Sequence, residues 1–350
     1  MRIAVIKFGG ASLASHDLRQ IAALRVREAI EEGFQPVVVV SAFGRRGDPY
    51  ATDTLVDLAL KNYAALLPRE WALLASCGEL IAAVVMTSLL CREGLAAMSL
   101  TGGQAGVITT NGFTGTHIAS VDPTSLLAIL QSGSIPVVTG FQGRSTAGEI
   151  CVLERGGSDI SSAAIGCALG AEIVHLFKET PGVHTADPVI VPEAKLIRRL
   201  NYKGALCMAL HGAKIIHPDA VTWAMRGAIP IRVRSLLEPT RSTLITGYPD
   251  GQGGCPVSIT ASSISKGDLT MVSVINVPEG EEAAFGEIVD KALRESNISV
   301  VELASGLGAV SATVEGRHSD MAQVVLHDRL VVQQPGVISR RKQQRIAVCL

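Results

Sequence analysis

Residues 1–12 read MRIAVIKFGGAS: an apolar strand runs into Lys7 and turns through Phe8, Gly9 and Gly10 into polar residues that can open a helix. A strand without polar alternation implies a sheet covered on both faces. The glycine corner at its carboxyl end is a phosphate-handling geometry. Glycines without Cβ let backbone N–H groups approach a polyphosphate, a following helix adds the positive end of its dipole, and Lys7 is placed to bridge β- and γ-phosphate oxygens. Lys-x-Gly-Gly alone does not separate this reading from an ordinary strand-to-helix turn, so the rest of the chain has to decide.

Outward from this corner the texture repeats. Apolar strands at 3–6, 36–41, 96–100, 137–140, 173–177 and 230–235 alternate with helical stretches at 17–32, 73–90, 123–132, 159–169, 202–210 and 219–226. The pattern predicts an α/β fold, a doubly wound, mostly parallel sheet with helices on both faces, binding its ligand outside the carboxyl ends of the strands. Near residue 240 the texture changes to a turn-rich connector containing Pro239 and GYPDGQGG at 247–254. The expected organisation is a larger α/β domain at 1–240, a linker at 241–256 and a smaller α+β domain at 257–350. Within that last segment the order is strand 269–277, helix 281–295, strands 298–303 and 308–315, and helix 319–326. The run 330–332 would complete a βαββαβ unit of the ferredoxin-like kind.

Composition removes several function classes. With 350 residues, 47% of them hydrophobic and 18% charged, the chain can bury two cores. A formal net charge of -1 offers no field for nucleic acid or an anionic membrane. Apolar runs are interrupted by Gly, Pro or charge before the roughly 18 residues of a membrane span, and the N-terminus reads as a strand and not as a signal peptide. The expectation is a soluble cytoplasmic protein. Its seven cysteines are scattered without metal-ligand spacing, and are read as reduced, small apolar residues.

A second glycine corner, Glu154-Arg155-Gly156-Gly157-Ser158-Asp159, opens a Ser/Ala/Gly-rich helix. Ser158 or Asp159 can cap that helix, and Arg155 can grip a carboxylate or phosphate with two prongs. Lys214, in GAKIIHP at 212–218, is either another phosphate-reaching cation or a helix-terminal lysine. Ser41 and Thr52 are either ligand contacts or backbone caps. Glu79 stands out inside the apolar run 73–90, where an unpaired carboxylate is costly.

These blocks together resemble the aspartate kinases (aspartokinases) of the amino acid kinase superfamily, most closely the diaminopimelate-pathway isoenzymes of Gram-positive bacteria. The resemblance covers nearly the whole chain. It rests on KFGGAS at 7–12, VVVVSAFGRRGDPYATDTL at 37–55, SCGE at 76–79, LTGGQAG at 100–106, GFQG at 140–143, ERGGSD at 154–159, GVHTADP at 182–188, GAKIIHP at 212–218 and IPIRVRS at 229–235. It implies transfer of the ATP γ-phosphoryl group to the β-carboxylate of L-aspartate, with Mg²⁺ carried by the nucleotide. This is the first step toward lysine and diaminopimelate, threonine and methionine. By resemblance, Lys7, Asp159 and Lys214 form the catalytic set. Ser41, Thr52, Glu79, Phe141, Arg155 and Ser158 hold aspartate, and Lys7, Phe8, Gly9, Gly10, Lys178, Glu179 and Lys214 hold the nucleotide.

The sequence also departs from the family pattern. Lys178-Glu179-Thr180 stands where a Thr-Asp-Val is usual, Val189 where an arginine follows Asp-Pro, and Glu154 where a glycine precedes Arg155. The departures leave two readings, an active aspartate kinase with an altered nucleotide wall and an impaired pseudokinase serving as a regulatory or scaffolding subunit. The C-terminal segment resembles one ACT module, followed by what reads as a shortened second. It implies a homodimer or homo-oligomer and a possible amino-acid effector site.

Overall fold

The computed structural model describes residues 1–61, 65–213, 215–247, 255–264, 268–306 and 308–332. It forms two units, Met1–Gly182 with Ile215–Gly247 and Val183–Lys214 with Tyr248–Leu350. The later division falls in the expected connector. Residues 183–214, however, group with the C-terminal unit, because Ala186 and Val191 lie in the same apolar core as Val272, Val289 and Leu326.

In the first unit seven strands build the main sheet: β1 (Ile3–Phe8), β2 (Gln35–Val40), β3 (Ala97–Leu100), β4 (Ile135–Thr139), β5 (Ile173–Lys178), β6 (Ile231–Ser235) and β7 (Ser242–Thr246). Their spatial order is β7-β6-β5-β1-β2-β4-β3. Neighbours run parallel except β7, which is antiparallel to β6. Every residue of β1 is buried, as a strand covered on both faces requires. Ile6 and Phe8 pack with α1 (His16–Glu31) and α3 (Pro68–Arg92), between which lies α2 (Thr52–Leu60). On the opposite face runs α4 (Gly157–Leu169). A Cβ at its Gly166 would come within 2.8 Å of Val174, so the helix sits close against the sheet only with glycine there. The helix α5 (Pro218–Arg226) packs beside α4.

Two expectations change here. Gly9 and Gly10 open only a four-residue 3₁₀ turn, Gly10–Leu13, and α1 starts later with Ser15 accepting the Leu18 N–H. The long helix whose amino end faces Lys7 is α4. Second, α3 is long and apolar enough to cross a membrane by length and composition, although half of its most apolar window is buried inside the protein. Tolerance of one charge explains the difference, since Glu79 interrupts the run without ending the helix.

Four short strands, Val107–Thr109, Ile118–Val121, Gln142–Arg144 and Ile150–Val152, make a separate small sheet that the sequence reading did not contain. Strands of three or four residues are too short for a period-2 signal.

The second unit carries an antiparallel sheet of β8 (Ser258–Ile264), β9 (Leu269–Ile275), β10 (Glu302–Gly306) and β11 (Ala309–Glu315), in the order β8-β9-β11-β10. Its core includes α6 (Glu282–Glu295) and α7 (Ser319–His327). The run 330–332 is not the closing strand: it continues α7 as the helical turn Asp328–Val332. The place beside β9 is taken from the other end of the segment, by β8. The hydrogen-bonding edge is satisfied by a strand that precedes the run β9-α6-β10-β11-α7 rather than one that follows it.

Candidate active site

Both glycine corners meet at the carboxyl rim of the main sheet. Lys7, next to last in β1, points to the α4 face and donates to Asp159 Oδ1 at 2.7 Å. Lys178, the last residue of β5, donates to the other oxygen of the same carboxylate. The side chains of Lys7 and Asp159 are 6% and 3% exposed, against 21% for Lys178. Burial pulls Lys7 down to about 8 despite Asp159, with Lys178 adding to the fall. Burial works against the charge on Asp159, but the two lysines more than offset it and hold the carboxylate at about 2. One anion thus ties together a buried and a half-buried cation, with positive charge left over.

The local chain geometry explains how the corners reach each other. A Cβ on Gly10 would overlap Ala42 O and stand 2.8 Å from Gly44 O, so the first corner closes against the loop after β2 only with glycine there. Gly9 meets nothing nearer than Phe177 O at 3.5 Å and Lys7 Nζ at 3.7 Å. Its N–H is already taken by Phe177 O at 3.3 Å, so backbone donation to a ligand falls to the opening of the 3₁₀ turn. In the second corner Gly156 has φ 92°, the left-handed region that favours glycine.

Facing this charged wall is Glu79. Gly78 lets α3 pass close to the loop, since a Cβ there would lie 2.7 Å from that of Ala42. Glu79 Oε1 accepts the Ala42 N–H at 3.1 Å, while Oε2 is buried without a partner. Burial raises the carboxyl to about 8. A cation delivered to Oε2 would satisfy the orphan oxygen and ionise the group.

A cavity of about 690 Å³ joins these elements. Lys7, Gly10, Ser41, Thr52, Glu79, Phe141, Arg155, Ser158, Asp159 and Lys178 all line it. Phe141 holds φ 67°, and its N–H donates to Ser161 Oγ of α4 at 3.1 Å, turning the chain from β4 into the small sheet. Arg155 is exposed at the rim, where it donates to both oxygens of Asp53 at 3.3 and 3.5 Å. Its fork is therefore within reach of a carboxylate at the mouth.

Two expected residues stand elsewhere, and a third falls outside the described residues. The ring of Phe8 is fully buried and stacks on Phe177 with centroids 5.2 Å apart, leaving only its backbone on the site side. Glu179 pairs with Arg45 at the exposed surface. Lys214 lies outside the described residues. The sequence reading missed Arg45, Arg46, Asp53 and Trp71, which also line the cavity. For the first three, the charged and polar run GRRGDPYATD was the available signal, from which only Thr52 was taken as a site residue.

Among the described residues, no group of three His, Cys, Asp or Glu side chains gathers to hold a metal ion. Asp159 is already shared by two lysines. The residues do not make a cation cage of their own.

The sequence profile of the amino acid kinase family matches residues 2–235. Aspartokinase 1 of Bacillus subtilis (strain 168) is 40% identical over 331 residues, covering 94% of this chain and 81% of the relative. The structure of E. coli aspartokinase III in complex with aspartate and ADP superposes with a TM-score of 0.77 at 20% identity, covering 94% of this chain and all of the other. The same E. coli enzyme in complex with lysine and aspartate gives 0.62 at 24% identity, over 94% of this chain and 83% of the other.

Proposed function

The chain belongs to the amino acid kinase family, on its aspartokinase branch, and from that premise we propose how its cleft works as an aspartate kinase, moving the ATP γ-phosphoryl group onto the β-carboxylate of L-aspartate. One observation carries the reading: a single cavity is lined both by a lysine–carboxylate cluster and by Glu79, whose Oε2 is buried without a partner. The first suits polyphosphate, the second an ammonium group.

The substrate carboxylate is itself the nucleophile at neutral pH, so the site needs no strong base. Its task is to hold two anions together and balance developing charge. Lys7 faces the transferring phosphoryl group, and Asp159 fixes where its ammonium points. Gly10 opens the turn whose N–H groups face the phosphates, and Gly9 leaves room beside Lys7. Glu79 takes the aspartate ammonium, becoming ionised as it does so. Arg155 exchanges Asp53 for the substrate α-carboxylate, while Ser41, Thr52, Phe141 and Ser158 complete the pocket. Mg²⁺ carried by the nucleotide would supply further neutralisation of phosphate charge. An amino-acid effector at the C-terminal unit, self-association and a cytoplasmic location accompany this reading. The impaired-subunit alternative finds no support in the relatives.

Mixing the protein with MgATP and L-aspartate and trapping the acyl phosphate as a hydroxamate tests the reaction. Product is expected, and Glu79→Gln is expected to raise KM for aspartate at least tenfold. Absence of product at high protein concentration overturns the proposal.

A further inference from the structure

We propose that Lys178 contacts the terminal phosphates of the nucleotide as a second cation, using positive charge that its neighbours leave unbalanced. The inference rests on the kinase reading and adds a residue-specific role within it. Asp159 is the only carboxylate in ion-pair contact with either lysine among the described residues, and each lysine takes one of its oxygens. A single negative charge cannot neutralise two ammonium groups, and an unpaired interior charge is costly, so the cluster favours a further anion.

The surroundings do not supply one. Glu179, next in the chain, is turned to Arg45. Glu79 is held largely uncharged below about pH 8 by burial. Among the cavity-lining residues Lys7, Arg45, Arg46, Arg155 and Lys178 face Asp53, Glu154, Asp159 and Glu79. Asp53 is itself within ion-pair distance of both Arg46 and Arg155. Of the two lysines on Asp159, Lys178 is the more accessible and lines the cavity. It also emerges at the glycine corner, because the Gly9 N–H binds the carbonyl of the preceding residue, Phe177. An anion placed at that corner to meet Lys7 would therefore lie beside Lys178 as well.

The arrangement has a second consequence. Lys7 is faced by Asp159, Lys178 and Glu79, and burial together with the like charge on Lys178 brings it to about 8. Removing Lys178 raises the pKa of Lys7, so activity that requires Lys7 as a cation persists to higher pH.

The test compares wild type, Lys178→Met and Lys178→Arg by steady-state kinetics across pH. Lys178→Met is expected to raise KM for MgATP at least tenfold, leave KM for aspartate within twofold, and move the alkaline limb of kcat/KM upward. Lys178→Arg is expected to recover most of the MgATP affinity. An unchanged KM for MgATP and an unmoved limb overturn the inference and leave Lys178 a structural counterion of Asp159. Should Lys178→Met fail to fold, lysine acetylation of the wild-type protein followed by mass spectrometry replaces it. Slower labelling of Lys178 with MgADP, but not with aspartate alone, supports the contact, and equal labelling rates overturn it. Wild type that forms no hydroxamate while MgADP still protects Lys178 would sink the kinase reading and leave this contact standing.

Discussion

The two glycine pairs of the cleft carry the same letters and meet different physical demands. At the first corner Gly10 is required by its neighbours' backbone, while Gly9, with φ -72° and ψ 161°, adopts a conformation open to any residue and has room for a Cβ at ordinary contact distance from Lys7. At the second, Gly156 is required by its left-handed φ, and Gly157 because a Cβ there would stand 2.7 Å from that of Leu153. Three of the four glycines are thus explained by the fold alone. Only Gly9 is left over for a ligand, so its role, rather than the motif's, is the functional signal.

The largest effect is expected where the corners are joined. Asp159→Asn removes the charge that holds Lys7 and Lys178 and leaves the buried Lys7 ammonium without its partner. Loss of a buried ionic partner costs about 3–5 kcal/mol, read as a fall in denaturant midpoint. Misplacing a group aimed at developing charge lowers kcat by about 10²–10³. Near-normal stability and activity would show that the corners fold and work independently. Next in size is Gly10→Ala. The added methyl must push the loop after β2 away from the corner, an overpacking cost of about 1–3 kcal/mol. A thermal melt measures it, and an unchanged Tm would mean that the loop yields freely.

How far the sequence revealed these features depends on what set them. The parallel strands were legible because burial on both faces demands continuous apolar runs, and β1 and β2 supply them. Glu79 was legible because charge in an apolar run requires a reason, while Lys7 and Asp159 drew notice as members of the two glycine corners. The strand β8, SITASSI, was not legible, since its Ser and Thr residues hide a strand buried over its first three positions. Nor was the grouping of 183–214 with the C-terminal unit, which depends on contacts remote in sequence. Arg45 sits in a polar loop and Asp53 in the first turn of α2, places where charge is ordinary, and only the cavity gives them significance. The difference between Gly9 and Gly10 is the sharpest case, because identical letters conceal opposite steric environments.

Gly9→Ala therefore isolates function from folding with the smallest structural disturbance. Its backbone is extended, and the new methyl would meet Phe177 O at 3.5 Å and Lys7 Nζ at 3.7 Å, ordinary contact distances. Loss of glycine's freedom in the unfolded chain stabilises by about 0.4–1 kcal/mol where the native conformation suits alanine, so Tm is expected to hold or rise slightly. The methyl nevertheless stands against the ammonium that meets the nucleotide. KM for MgATP should rise several-fold while KM for aspartate stays put. A variant that loses stability instead would show that Gly9, like Gly10, belongs to the fold, and the contrast between the two positions would fail.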